Sequence, residues 1–471
     1  MRSTLFIALT TTLTLAASGL LTACGGGTGG TGGTGGQSPG TGGSGGGACD
    51  KLPAAGLTQV LPPDPAGGEI GYGAALAILP DGAPIIAYGV RQQGAESAEV
   101  LVVRWDRCTG AWAAPVKVDD AFNLAGIRPI GIAVDPSDGR VGVTYEATRG
   151  LLPPNPTHQI FVALSTDGGR TFTPEPVSRH CAEDPACTQL GDEQDAFNPQ
   201  IALAGGKTHV AYNQALVGCG PADGADPPKC QDTVVLATKD AGAWTREAIR
   251  DGVDGAYGGA IYTDVTFPPS VAVDAAGVPG VLAFQHPNQS ASPISYTWAL
   301  YFARPGAVGA RVLDSKDVQN DVGTGSSSLL FDGTKVRALA HLHDQPAGTE
   351  THDLLFAESA DGLAWSAATP LPRDGDEPTA SSQALVADGQ GGLVAVAQAA
   401  GGSTNQFGSP KILRSADGKA WSLGGASDAA AVLDPRSVTA ARGADGKLYI
   451  AFQGSAPKVT DAGGVVLYRE P

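Results

Sequence analysis

Along its hydrophobic positions the chain is a series of short apolar runs broken by Gly or Asp-Gly. The units "AALAILPDGAPIIAYGV", "IGIAVDPSDGRVGVTYEA", "PQIALAGGKTHVAYNQ", "PSVAVDAAGVPGVLAFQH", "SSLLFDGTKVRALAHLH", "SQALVADGQGGLVAVAQA" and "SVTAARGADGKLYIAFQG" share one form: apolar strand, tight turn, apolar strand. Runs of this length around a Gly-containing turn predict β-hairpins. Each hairpin is followed by a further strand such as "EVLVVRW", "IFVALS", "TVVLATK", "LYFAR", "LLFAES" or "KILRS". Seven units therefore begin near Ala74, Pro129, Pro199, Pro269, Ser326, Ser381 and Arg436. Their spacing of about 55 to 70 residues suits a four-stranded propeller blade with long connections.

The last unit stops after "GVVLYREP", one strand short, and "LTQVLP" at Leu57 to Pro62 supplies a strand before the first unit. Pairing the two closes a ring and removes the open sheet edges that invite aggregation. Units this small cannot bury cores of their own, which disfavours a tandem array of sandwiches. The expected fold is all-β, a seven-bladed β-propeller over residues 49–471 whose last blade is completed by the N-terminal strand.

Composition agrees with this picture. Of 471 residues, 67 are Gly and 34 Pro, with a single Met and 16% charged residues, which favours strands and turns over helices. The net charge of −17 argues against nucleic acid or an anionic lipid surface as partner.

The N-terminus predicts export. Arg2 is followed by the apolar run "LFIALTTTLTLAASGLL" and then small residues, the form of a secretory signal over residues 1–23. Leu21-Thr22-Ala23-Cys24 resembles the bacterial lipobox, which implies lipidation of Cys24; the Gly25 that follows implies outer-membrane placement in the cell envelope, periplasmic or surface-exposed. The Gly/Thr/Ser-rich stretch that completes residues 24–48 is a flexible tether with a root-mean-square span of roughly 25 Å. The lipid would be the only membrane contact of a monomeric propeller. The other six cysteines, in an exported chain, read as disulfides. Proximity suggests Cys49–Cys108, Cys181–Cys187 and Cys219–Cys230 among about 15 possible pairings, with a zinc site the weaker alternative.

Between the third and fourth strands of the second unit lies "STDGGRTF", with Ser165, Asp167, Gly169 and Phe172. Related stretches are "SADGLAWS" (Ser359, Asp361, Trp365), "SADGKAWS" (Ser415, Asp417, Trp421), "TKDAGAWT" (Asp240, Trp244) and a worn "DRCTGAW" from Asp106. Units four and seven have none. This pattern resembles the Asp-box, or BNR, repeat of sialidase-like propellers. The resemblance implies structural turns on the face away from any active site, and it makes a six-bladed sialidase-like ring the alternative count. A turn aspartate accepting backbone N–H groups, a glycine at positive φ and a packing aromatic need no catalysis to explain them.

Function is therefore expected at the other end of the blades. The long connections "ATRGLLPPNPTH", "RHCAEDPACTQLGDEQDAF", "QALVGCGPADGADPPKCQD", "RDGVDGAYGGAIYTDVTF" and "DSKDVQNDVGTGSS" all open there. After the aromatic of each second strand comes a polar column: Glu146, Asn213, Gln285 and Gln453, with Gln398 in the sixth unit and Leu342 in the fifth. Arg128 and Arg436 stand on the same rim. These seven polar residues are the candidate ligand-binding set, or the lining of a central channel.

The sialidase resemblance would require three arginines, a Tyr–Glu nucleophile pair and an Asp. It points to Arg128, in "GIRPIG", Arg436, Glu193 and Tyr262, while nothing selects a third arginine. His341, His343 and His352 gather in the fifth unit, where three imidazoles suit a metal, although His341 aligns with the packing column of Tyr88, Tyr145, Tyr212 and Phe284. The acidic "GDEQD" and "RDGDEPT" offer oxygens to Ca²⁺, and no other cofactor is implied. The chain reads as a tethered, non-catalytic propeller binding a glycan or protein, with an exo-acting sialidase or other glycoside hydrolase as the alternative.

Overall fold

The computed structural model describes residues 49–61, 69–91, 98–118, 130–149, 157–178, 193–217, 233–249, 268–285, 299–314, 326–333, 335–344, 351–372, 383–397, 400–401, 406–407, 411–424, 438–453 and 464–471. The chain divides at Gly47 into Met1–Gly47 and Ala48–Pro471. The expectations for the signal segment, Cys24 and the tether lie outside the described residues, as do Cys181, Cys187, Cys219 and Cys230.

Seven antiparallel sheets form a seven-bladed β-propeller, and the described residues contain no helix. Blade 1 comprises Glu69–Ile78, Pro84–Arg91 and Ala98–Asp106, with the short outer strands Ala111–Trp112 and Val116–Lys117. Blade 2 runs Gly131–Val134, Val141–Arg149, Thr157–Ser165 and Thr173–Pro176. Blade 3 runs Glu193–Ala204, Lys207–Val217, Thr233–Lys239 and Trp244–Ala248. Blade 4 runs Ser270–Val273, Pro279–Gln285, Ala299–Ala303 and Ala310–Asp314. Blade 5 runs Ser326–Asp332, Lys335–Asp344, Thr351–Ser359 and Thr369–Pro370. Blade 6 runs Gln383–Ala387, Leu393–Ala397, Lys411–Ser415 and Ser422–Leu423. Blade 7 has Thr439–Arg442, Leu448–Gln453 and Val465–Arg469, and its outer strand is Gly56–Leu61 from the opposite end of the sequence.

The hydrophobic core is not one mass but seven seams, one between each pair of neighbouring blades. Ile85, Val102, Tyr145 and Phe161 fill the seam of blades 1 and 2, and Val396, Ile450 and Phe452 that of blades 6 and 7. Every middle strand is covered on both faces, so its sequence is a continuous apolar run instead of an alternating one. Leu393–Ala397 is buried at all five positions for this reason.

Two first strands begin earlier than the hydrophobic pattern indicates. Glu193–Ala204 extends ahead of Pro199 through a register shift between Phe197 and Gln200. The extension pairs with the long Lys207–Val217 strand, and Pro199, lacking an N–H, sits where the ladder is interrupted. Glu69–Ile78 similarly starts ahead of Ala74 through two shifts around Tyr72.

Ring closure is held at three points. Gly56–Leu61 pairs with Val465–Arg469, from Gly56 opposite Arg469 to Leu61 opposite Val465. Cys49 is disulfide-bonded to Cys108, in the turn after the third strand of blade 1. Between them, the Lys51 N–H donates to Arg107 O at 3.1 Å and the Trp105 indole N–H donates to Lys51 O at 2.9 Å. The disulfide closes a loop with a sequence separation of 59. Constraint of the unfolded chain by a loop of that length is worth about 4 kcal/mol in the chain-entropy description. Cys108→Ser is therefore expected to lower the unfolding free energy by about 2–4 kcal/mol, read as a shift of the urea midpoint under oxidising conditions. An unchanged midpoint would show that the closing strand needs no such latch.

Candidate functional site

Seven first strands converge on the axis and line a channel of about 250 Å³. Its polar wall consists of Gln200, Ser270, Ser327, Ser328, Gln383 and Thr439, among small residues. Smallness is imposed by convergence: a Cβ on Gly131 would lie 2.5 Å from Thr144 Oγ1 and 3.2 Å from Ile201 Cγ2. The hydroxyls stitch neighbouring blades. Ser270 donates to Ser327 O at 2.5 Å, Thr439 Oγ1 accepts from the Leu76 N–H at 3.0 Å, and Ser328 Oγ accepts from the Leu385 N–H at 3.0 Å.

The polar column of the second strands does not line this channel. Glu146, Asn213 and Gln453 are buried within the seams, each facing the following blade beside its cross-strand neighbour, Ile160, Val234 and Val465 respectively. Strand alternation corrects the membership of the column. His341 lies opposite Leu354, in the seam of blades 5 and 6, so it belongs with Glu146 and not with the tyrosines or with Leu342 in its place. Phe284 faces blade 5 beside Leu300, so Gln285 is one position out of phase with the others. The sequence alignment anchored on aromatic residues, and an inward aromatic stands on opposite faces in blades 2 and 4.

One part of the column is gathered into a cluster at the loop-bearing end of blades 2 and 3. The Glu146 carboxylate, 2% exposed, lies 3.9 Å from His158 Nε2 and accepts from the Asn198 N–H at 3.4 Å. Asn198 sits in the strand irregularity at φ 54° and is buried, while His158 packs on Phe197 with ring centroids 4.9 Å apart. Phe197 is in turn the register partner of Asn213, so Glu146 and Asn213 are joined through one irregular backbone step. Nearby, Gln159 donates to Ser178 O at 3.1 Å and fixes the strand beneath. A buried carboxylate beside an imidazole is the kind of polar pair that can grip a polar ligand group. Sequence reasoning missed His158 and Asn198. The usable signal was Asn before Pro199, a residue type that tolerates positive φ where a strand must break step.

Of the remaining candidates, Glu193 opens the first strand of blade 3 opposite Val217. Arg128, Tyr262, Gln398, Arg436 and "RDGDEPT" lie outside the described residues, as does the start of "GDEQD". The register sets His343 opposite His352. Among the described residues no group of three or more His, Cys, Asp or Glu is placed to hold a metal ion.

At the other end of the blades the aspartates close turns. Asp167 accepts from the N–H groups of Arg170 and Thr171 at 2.9 and 3.0 Å and from the hydroxyls of Ser165 and Thr171 at 2.7 Å each. Asp361 and Asp417 repeat this with Leu363, Ala364, Lys419 and Ala420, and Asp106 keeps it with Cys108 and Thr109. Gly362, at φ +79°, packs so closely on Phe302 that no side chain fits. Asp240 is the exception and corrects the sequence reading: it pairs with Lys207 at 2.9 Å. Register explains why. Lys239, opposite Thr208, occupies the place held by Ser165, Ser359 and Ser415 in the other turns, so the turn is one residue shorter.

No family model matches the chain, and no curated protein matches it. Among solved structures, the polysaccharide lyase Uly1 superposes with a TM-score of 0.51 at 11% identity, over 85% of this chain and 90% of that one. The α-L-arabinofuranosidase Arb93A from Fusarium graminearum gives 0.46 at 14% identity, over 88% and 97%. A Trypanosoma rangeli sialidase mutant displaying trans-sialidase activity gives 0.43 at 14% identity, over 76% of this chain and 56% of its own. At 11% identity the Uly1 likeness speaks for the fold and not for the chemistry.

Burial, which raises the Asp167 pKa, is outweighed by the Thr171 hydroxyl and N–H and the Ser165 hydroxyl, so the carboxyl is held well below the ordinary carboxylate range. Its stabilising contribution is complete above the unfolded value of about 3.9 and is lost as pH falls towards the folded value. Asp167→Ala is expected to cost about 1 kcal/mol at pH 7, a penalty that shrinks as the pH falls from 4 towards 2. Asp240→Ala, which removes only an exposed ion pair, should stay within about 0.5 kcal/mol. Equal penalties in thermal or urea unfolding would contradict the division between the two turns.

Proposed function

We propose that this chain is a membrane-tethered, non-catalytic propeller that binds a glycan through the face carrying the long connections. The observation that carries the reading is the asymmetry of the blades. Short turns occupy one end, closed by their own aspartates, and every long connection leaves the strands at the other. Towards that second end the second strands carry Glu146, Asn213, His341 and Gln453, buried polar residues on corresponding faces of four blades beneath the long connections. A rigid ring holding variable loops over polar positions is a general arrangement for recognition. The polysaccharide lyase of similar fold supports a carbohydrate as the ligand class.

In this reading Arg128 and Arg436 on the rim contact the ligand, with Gln285 and Gln398 as further loop-end groups. The sequence Leu21-Thr22-Ala23-Cys24 carries the lipid, and the stretch to residue 48 gives the propeller its reach from the envelope. Glycan-array binding of the soluble unit Ala48–Pro471, which keeps the Cys49–Cys108 bond, with and without Ca²⁺, tests the proposal. Selective binding that weakens at least tenfold on Arg128→Ala or Arg436→Ala is expected. Silence across the array would replace the glycan by a protein partner.

The pairing of Glu146 with His158 at 3.9 Å favours a second reading, an exo-acting glycoside hydrolase. Release of product from any array-positive glycan, abolished by Glu146→Gln with binding retained, would establish it over the first. The tether is tested separately: Cys24→Ser should move the protein from the membrane fraction to the soluble one, and an unchanged distribution would refute the lipid anchor.

A further inference from the structure

The seven seams are not equally filled. Towards the short-turn end of blades 4 and 5, Phe302 meets Trp365 edge-on at 5.6 Å, and Phe356 meets Trp421 in the same way at 5.3 Å in the next seam. In both, the phenylalanine comes from the third strand of one blade and the tryptophan from the turn of the following one. The seam of blades 3 and 4 has neither ring. On the third strand of blade 3 the residue in register with those phenylalanines is Leu236. The corresponding turn of blade 4, "ARPGAVGA" from Ala303, contains no aromatic residue. What stands there instead is a cavity of about 510 Å³, walled by Leu236, Val278, Pro279 and Pro305.

Besides Thr238, Thr245 and the charged residues at its mouth, the cavity is lined by one histidine. His209, 2% exposed, lines it beside Thr238, whose Oγ1 is 3.0 Å from His209 Nδ1. The other ring nitrogen, Nε2, is buried and makes no hydrogen bond. Burial pushes the imidazole down to about 4, so the ring is neutral at pH 7. The charges around the mouth are already engaged: Lys207 with Asp240 at 2.9 Å, Arg246 with Val177 O at 2.6 Å, and Glu247 with the Gly306 N–H at 3.2 Å. The cavity thus offers partly apolar walls at the place where the next two seams hold rings, one buried uncharged nitrogen without a hydrogen bond, and charged groups that are already engaged. Leaving such an atom unmade is costly, and filling the walls is favourable.

We propose that the seam between blades 3 and 4 is a binding site for a small neutral phenol of one or two rings. The ring takes the place of the Phe–Trp pair present at the next two seams, and the hydroxyl bonds His209 Nε2. A hydroxyl is the fitting group because Thr238 leaves either tautomer open: an O–H both donates and accepts, whereas an indole N–H only donates. The site lies at the opposite end of the blades from the long connections, so it stands or falls independently of the proposed glycan face.

The test is calorimetric titration of the folded unit Ala48–Pro471, which keeps the Cys49–Cys108 bond, with 2-naphthol, and with naphthalene as the ring lacking the hydroxyl. Binding of 2-naphthol in the submillimolar range, about tenfold tighter than naphthalene, is expected. Leu236→Phe, which restores the ring of the neighbouring seams, should abolish binding without lowering the thermal midpoint. His209→Leu should erase the preference for 2-naphthol while naphthalene still binds. Absence of 2-naphthol binding, equal affinity for the two compounds, or undiminished binding to a folded Leu236→Phe variant would each overturn the proposal; the last holds even should His209→Leu fail to fold.

Discussion

Everything in this molecule depends on the pairing of Gly56–Leu61 with Val465–Arg469. A ring of blades has no independent core; each seam is built from residues of two neighbours, so the seam between blades 7 and 1 exists only when the chain's two ends meet. Val60 and Leu467 enter that seam together with Tyr88, Tyr449 and Ile86. The disulfide and the Lys51 contacts just upstream act on the same event, because they hold the closing strand near blade 1 before it has to find blade 7. Closure also covers the outer edge of Val465–Arg469, which suits a Gly-rich, apolar sequence that would otherwise present a pairing edge there.

Given closure, the two ends of the blades face different demands. The short-turn end must be stable by itself, and it achieves this by local means: a carboxylate accepting the N–H groups of its own turn, a glycine at positive φ and an aromatic ring pushed into the preceding seam. The loop-bearing end carries the polar residues that a close-packed seam tolerates only when they are hydrogen-bonded or paired, as Glu146 is with Asn198 and His158. Variation between seams is then the source of individuality in a repetitive structure. A proline-containing turn and a leucine in place of two rings open a cavity at one seam, and an irregular step at Asn198 assembles a carboxylate–imidazole cluster at another.

The repeat itself was legible in the sequence because its physical basis is local. Apolar runs around Asp-Gly turns specify hairpins wherever they occur, and a missing strand at one end with a spare strand at the other specifies closure. Cys49 and Cys108 were paired by the same reasoning of position, and the pairing is present. The turn role of Asp167, Asp361 and Asp417 followed from residue type and spacing. Asp240 looked alike in sequence and behaves differently, since one residue fewer in the turn puts Lys239 where the serine stands. A local pattern that tolerates one mismatch cannot report a register.

Sequence alone therefore determined the class of fold and the manner of closure and favoured seven blades over six, all of which rest on short-range patterning repeated along the chain. Tertiary structure alone decided which face of each strand meets which neighbour. That choice moved His341 into the column of Glu146, put Gln285 out of phase, and withdrew the column from the axis into the seams. The physical reason is that a middle strand buried on both faces carries no hydrophobic alternation from which its orientation can be read. Only packing against the adjacent blades breaks that symmetry.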